Sequence, residues 1–181
     1  KKQEDPDFLT EEIFAFSKEF RYEGYGLLKA EFLAIEGKND ILGFLAGGIK
    51  ESVKDSESIQ KEEAAQVIAS KLKQYQQLDD STNALLVSSI MSLGFGEQHY
   101  ELIKEVYKAG LADIMVCGDL EDIEIELGMR TERETERKDP FAFMREGLLN
   151  FEKKIKKQNL RKTLSNAASR KVPKLKKKKK K

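Results

Sequence analysis

The chain has 181 residues, 36% of them charged and 39% apolar, which suits one ordinary domain with a tail but cannot give every residue a share of a core. One cysteine, Cys117, excludes an internal disulfide framework, one histidine, His99, excludes a zinc site of several Cys and His ligands, and no run of about 20 apolar residues could span a membrane. The formal net charge of +1 hides a segregation: residues 1–137 hold 16 basic and 29 acidic side chains, and residues 138–181 hold 17 basic and 3 acidic.

The first predicted helix starts at Thr10, a capping residue followed by Glu11 and Glu12, acids placed where the helix dipole favours them. Ile13, Phe16, Phe20, Leu27, Leu28, Phe32 and Ile35 recur at helical spacing until Gly37 stops the pattern, with Gly24 and Gly26 expected to bend or interrupt it. Asp40 is the next cap, ahead of Ile41, Leu42, Phe44, Leu45, Ile49 and Val53. Gly43, Gly47 and Gly48 weaken that helix by roughly 1 kcal/mol each relative to alanine. No Gly-Lys-Ser/Thr follows them, so they read as points of close packing rather than a phosphate loop.

Ser56 or Ser58 begins a third helix with Ala64, Val67, Ile68, Leu72 and Tyr75 on one face. Asp79 or Asp80 begins a fourth, with Leu85, Leu86, Ile90, Met91 and Leu93, ended by Gly94. A fifth runs from Glu97 to Lys108 and ends at Gly110. Residues 111–129 mix an alternation at Ile123, Ile125 and Leu127 with a possible helix from Asp119 burying Leu120, Ile123 and Leu127. Helix is preferred, because a lone strand has no partner elsewhere in the chain.

Met129 to Lys138 (MRTERETERK) reads as a solvated helix or linker. Asp139-Pro140 is then a strong helix start, and Phe141, Met144, Leu148, Phe151 and Ile155 follow at steps of 3, 4, 3 and 4, a seam suited to docking on a partner helix. The predicted organisation is a flexible N-terminus over 1–7, an acidic helical body over 8–128 and a charged linker over 129–138. A C-terminal helix over 139–169 and a poly-lysine tail over 170–181 complete it. The predicted fold class is all-α: antiparallel helical hairpins or a bundle, a long C-terminal helix and a disordered basic tail.

The basic end carries the sharpest functional signal. Lys153, Lys154, Lys156, Lys157, Arg161, Lys162, Arg170, Lys171, Lys174, Lys176, Lys177, Lys178, Lys179, Lys180 and Lys181 put fifteen positive charges into 29 residues with no acid among them. Such a segment is stabilised by phosphates, an anionic membrane or an acidic protein surface. No aromatic residue follows Phe151, so base stacking is not part of the expected contact.

Catalysis is not expected, because no nucleophile with a base, metal shell or phosphate loop can be assembled from these residues, and no cofactor is implied. His99 reads as a surface or partly packed residue and Cys117 as a small buried hydrophobe. The acids Asp113, Asp119, Glu121, Asp122, Glu124 and Glu126 lack the spacing of a calcium loop and read as a solvated face or a docking patch for basic protein.

Thr82-Asn83-Ala84-Leu85-Leu86, the break at Gly94, and Tyr100 to Gly110 (YELIKEVYKAG) together resemble one pentatricopeptide-type helical hairpin over residues 81–113. The resemblance implies organellar RNA binding by a solenoid of such repeats, but the Pro-Asp that often closes a repeat is missing and neighbouring windows do not repeat the pattern.

The expected function is therefore a nonenzymatic subunit or adaptor of a nucleoprotein complex, such as a ribosome or transcription assembly, touching RNA or DNA phosphates through its basic end. The alternative is a protein–protein scaffold docking through the Phe141–Ile155 seam. The expected location is an intracellular reducing compartment, either the nucleus or an organelle after removal of a targeting peptide.

Overall fold

The computed structural model describes residues 6–136, with side chains from residue 11 onward, and among these residues the fold is all-α. The Phe141–Ile155 seam, the long C-terminal helix and the basic tail lie outside the described residues.

Helix α1 spans Pro6–Ala34 and opens on its proline, so Thr10, expected as the cap, sits inside the first turns. The chain breaks sharply within α1 at Arg21 (φ 46°, ψ −133°), not at Gly24 or Gly26. Packing accounts for the position. The Phe16 and Phe20 rings lie 4.7 Å apart, and a Cβ on Gly24 would stand 2.8 Å from Phe16 Cε1 and 3.0 Å from Phe20 Cβ. Gly24 thus supplies the close approach while Arg21 takes the strained backbone. The break redirects the apolar stripe: Phe32 is fully buried, whereas Phe20 and Leu27, expected on the same face, are 45% and 65% exposed.

Helix α2 (Ile41–Ser52) packs on α1 and on α4, and Leu42, Ile49 and the following Val53 are fully buried. Asp40 holds the cap position, but it is the Asn39 side chain that accepts the Ile41 N–H, at 3.0 Å. The glycines of α2 do mark close packing. A Cβ on Gly43 would meet Leu85, one on Gly47 would meet Phe14 at 3.0 Å, and one on Gly48 would lie 2.7 Å from Ile13 Cγ2 and 2.9 Å from Ser17 Oγ.

Helix α3 (Ser58–Leu72) buries Ala64, Ala65, Ile68 and Leu72 against the same core, and Tyr75 falls beyond it in a single 3₁₀ turn, Tyr75–Gln77. Lys71, only 5% exposed, turns its ammonium to the end of α1 and donates to the carbonyls of Leu33 (3.0 Å) and Ile35. A cation there satisfies carbonyls that the helix leaves unpaired and meets the negative end of its dipole.

Helix α4 (Asp80–Ser92) runs through the centre, in contact with α2, α3 and the later α6. Burial alone would raise the pKa of its cap, Asp79, but the Thr82 N–H (2.7 Å) and hydroxyl (2.8 Å) donate to the carboxylate and hold it below the ordinary range. Asn83 is fully buried and donates to the carbonyls of Tyr75 (3.0 Å) and Leu111 (2.9 Å), tying two connections to α4.

Helix α5 spans Tyr100–Lys108, starting three residues later than the spacing predicts because Gly96 to His99 form a turn over Met91 and Leu127. The ambiguous segment is helical: a short α6 (Ile114–Cys117), then α7 (Leu120–Glu126). Asp119 and Asp122 cap α7 reciprocally, each side chain accepting the other's backbone N–H at 3.2 Å. No described helix is long and apolar enough to cross a membrane.

Candidate functional site

Two surfaces of the described residues stand out from the helical packing. The first is an open apolar groove of about 350 Å³ between the two halves of α1 and the start of α2. Ile13 and Phe16 come from the first half of α1, Leu28 from the second, Ile35 from the residue just after it, and Ile41 and Leu45 from α2. The groove exists because the break at Arg21 sets the halves of α1 apart while the α2 glycines hold its floor close. Glu12 and Glu31 stand at its rim, and neither makes an ion pair among the described residues. Apolar side chains beneath free carboxylates suit a segment that is itself apolar on one face and basic at its edges.

Also in the second half of α1, Tyr22 and Tyr25 stack at 5.5 Å, and the Lys29 ammonium lies 5.7 Å from the Tyr25 ring while pairing with Glu63 of α3 at 2.7 Å. The Lys29 hydrogen bond holds the Glu63 carboxyl below its ordinary pKa, and burial followed by the Glu63 charge pushes the Tyr25 phenol up.

The second surface is a cluster of charges where residues 130–135 fold back on α7. Arg133 donates from Nη2 to Asp119 (2.6 Å) and from Nη1 to Asp119 (3.0 Å) and Asp122 (2.7 Å). Arg130 donates from Nε to Glu124 at 2.9 Å and pairs with Glu121 at 3.4 Å. Glu121 also accepts the backbone N–H groups of Glu134 and Thr135, both at 3.2 Å. Tyr100 donates to Glu124 at 2.6 Å, which pushes its own phenol up to about 12 and holds the Glu124 carboxyl low. Arg133 likewise holds Asp119 below the usual carboxylate range. The start of the charged stretch 129–138 is therefore not a freely solvated linker: Arg130 and Arg133 have only 24% and 20% of their side chains exposed.

This arrangement also corrects the reading of the acidic patch. Asp119, Glu121, Asp122 and Glu124 are occupied by the chain's own arginines, and Asp113 caps α6 by accepting the Met115 N–H at 2.9 Å. Among the described residues no group of three or more His, Cys, Asp and Glu is placed to hold a metal ion. Cys117 is half-buried with its sulfur 2.8 Å from the Tyr107 hydroxyl, and burial pushes its thiol up. His99 caps α5 by position only. Its Nε2 is buried without a hydrogen-bond partner, and burial, with the nearby Lys73 charge, lowers its pKa.

The residues singled out from sequence for phosphate contact, the lysines and arginines of 153–181, lie outside the described residues, as do Phe141, Met144, Leu148, Phe151 and Ile155. The groove was not legible as a site, because its side chains give the ordinary helical pattern and only the position of the break opens it. Compared with known proteins, the chain matches no family model, no curated protein and no solved structure.

Proposed function

We propose that this protein is a nonenzymatic adaptor of a nucleoprotein assembly, with its helical body engaging a protein partner and its basic end holding RNA or DNA phosphates. The observation that carries the reading is the charge segregation, 29 acids against 16 bases in residues 1–137 and 17 bases against 3 acids in 138–181. Phosphates are the abundant partner for a lysine-rich run, and an acidic body limits indiscriminate binding by repelling phosphates elsewhere. The α1–α2 groove supports the other half, since its apolar floor and free Glu12 and Glu31 fit an amphipathic helix with basic edges.

The test is salt-dependent binding of the full chain to short RNA and DNA duplexes and single strands. With about 6–8 charges engaged, log K against log salt falls with a slope of roughly −4 to −7. Lys→Gln at 176–181 flattens the slope and weakens every sequence alike, because lysine supplies point charge rather than a bidentate fork. A shallow slope with a strong preference for one sequence would overturn the reading.

The second reading, a protein–protein scaffold docking through Phe141, Met144, Leu148, Phe151 and Ile155, is favoured by the heptad spacing of those residues. Deleting residues 170–181 cripples an adaptor on nucleic acid and only weakens a scaffold, whereas Leu148→Asp does the reverse. Co-purification with and without nuclease reports which partners are bridged by nucleic acid.

A further inference from the structure

A concavity of about 180 Å³ lies where the end of α2, the start of α3 and the end of α4 meet, lined by Lys50, Glu51, Lys54, Lys61, Ser92 and Leu93. Three lysines line it, within a stretch, residues 1–137, that holds 29 acidic side chains against 16 basic ones. Lys54 pairs with Glu51 at 3.3 Å, but Lys50 and Lys61 are half-buried and make no ion pair among the described residues. The dipole of α2 accounts for a lysine in its last turn, at Lys50. It gives no account of Lys61, which closes the first turn of α3, where the dipole disfavours a cation. Lysines that share one concavity with a single carboxylate repel one another, and an anion placed among them would offset that repulsion.

We propose that this concavity is a binding site for a phosphate-type dianion, inorganic phosphate or a phosphomonoester. The charge decides the class: three lysines and Glu51 leave a net of about +2, and a phosphomonoester carries about −1.5 to −2 at neutral pH. Lys50 and Lys61 supply the charge-assisted donors, Lys54 is steered by Glu51, and the Ser92 hydroxyl at the rim is a further donor. Leu93, 8% exposed, closes the floor. None of its lining residues belongs to the basic end of the sequence, and the proposal does not depend on the function proposed above.

The experiment is a titration of the full chain with inorganic phosphate, followed residue by residue through the backbone amides, at ionic strength matched with chloride. Localised shifts at Lys50, Lys61 and Ser92 that saturate are expected, with sulfate reproducing them and acetate or chloride not. K50Q/K61Q weakens the saturable response at least tenfold, since each charged hydrogen bond lost is worth about that factor. Lys→Gln across 176–181 leaves it unchanged, which separates this site from the tail. Single K61Q, at the open end of a helix, serves if the double variant does not fold. The proposal is overturned if phosphate leaves these three residues unshifted, if the response survives K50Q/K61Q, or if chloride matches phosphate. An RNA chain without a terminal phosphate that shifts the same residues more strongly would overturn the dianion assignment in favour of the phosphodiester backbone.

Discussion

Where α2 meets α1, Gly47 and Gly48 bring the backbone against Phe14, Ile13 and Ser17, whereas beyond α7 two arginines draw Asp119, Glu121, Asp122 and Glu124 around residues 130–135. The first contact is dense and made of uncharged groups, so its strength scales with how well volumes fit. The second is built from side chains that keep about a fifth of their surface in solvent, so water and salt weaken it. The contrast teaches that one small body can use fit to hold its centre and charge to hold its edge, and the two should fail under different insults.

The largest effect is expected at the dense contact. Gly48→Val forces two methyls beyond a Cβ already only 2.7 Å from Ile13 Cγ2, and should cost about 3 kcal/mol in urea unfolding, with little dependence on salt. Gly26→Ala is the control: nothing lies within 4 Å of its would-be Cβ, so helix propensity should stabilise the protein by up to about 1 kcal/mol. Equal effects at the two positions would break the claim that α2 is governed by fit. Next comes Lys71→Met, which keeps the volume but leaves the Leu33 and Ile35 carbonyls without their donor and should cost about 2 kcal/mol. A neutral result would mean water replaces the ammonium at the end of α1.

A smaller and local effect is expected at the charged edge. Arg133→Gln should speed amide exchange at Glu134 and Thr135, whose N–H groups rest on Glu121, while amides of α2 stay protected. Raising salt should reproduce part of this opening in the unaltered protein. If exchange instead rises throughout the body, the clamp is integral to the core and the contrast between centre and edge fails.

Most of the helices were readable because their boundaries carry local chemistry: Asp79 and Asp119 cap through their own side chains, and Gly94 and Gly110 stop helices with φ of +85° and +70°. The preference for helix over 111–129 rested on the lack of a partner strand, and Ile123 is buried as that reading requires. What local pattern did not reveal depends on distant residues. The break at Arg21 is set by Phe16 and Phe20 packing over Gly24, and nothing about an arginine signals it. Lys71 looks like any surface lysine until the end of α1 arrives beside it. Arg130 and Arg133 sit in a run of charges whose spacing reads as solvated, and only the fold brings α7 within their reach. The lysine concavity joins three separate elements and leaves no motif along the chain.

The smallest expected effect concerns pH. Arg133 and Tyr100 hold the Asp119 and Glu124 carboxyls below their ordinary values, so the folded state binds protons less readily than the unfolded chain, whose carboxyls titrate near pH 4. Their contribution is fully present above about pH 5 and is lost as pH falls through the folded values. His99 behaves with the same sign for a different reason: burial, then Lys73, favours its neutral ring, while the unfolded histidine titrates near 6.5. Its step therefore begins higher, as pH falls below about 6.5, and it should be modest because one partly buried ring is involved. Urea midpoints at pH 7.5, 5.5 and 4 should decline in two stages. His99→Gln should flatten the first stage and leave the second, and Arg133→Gln should reduce the second and leave the first. A His99→Gln protein that still loses stability between pH 7.5 and 5.5 as the parent does would show that another group controls that window.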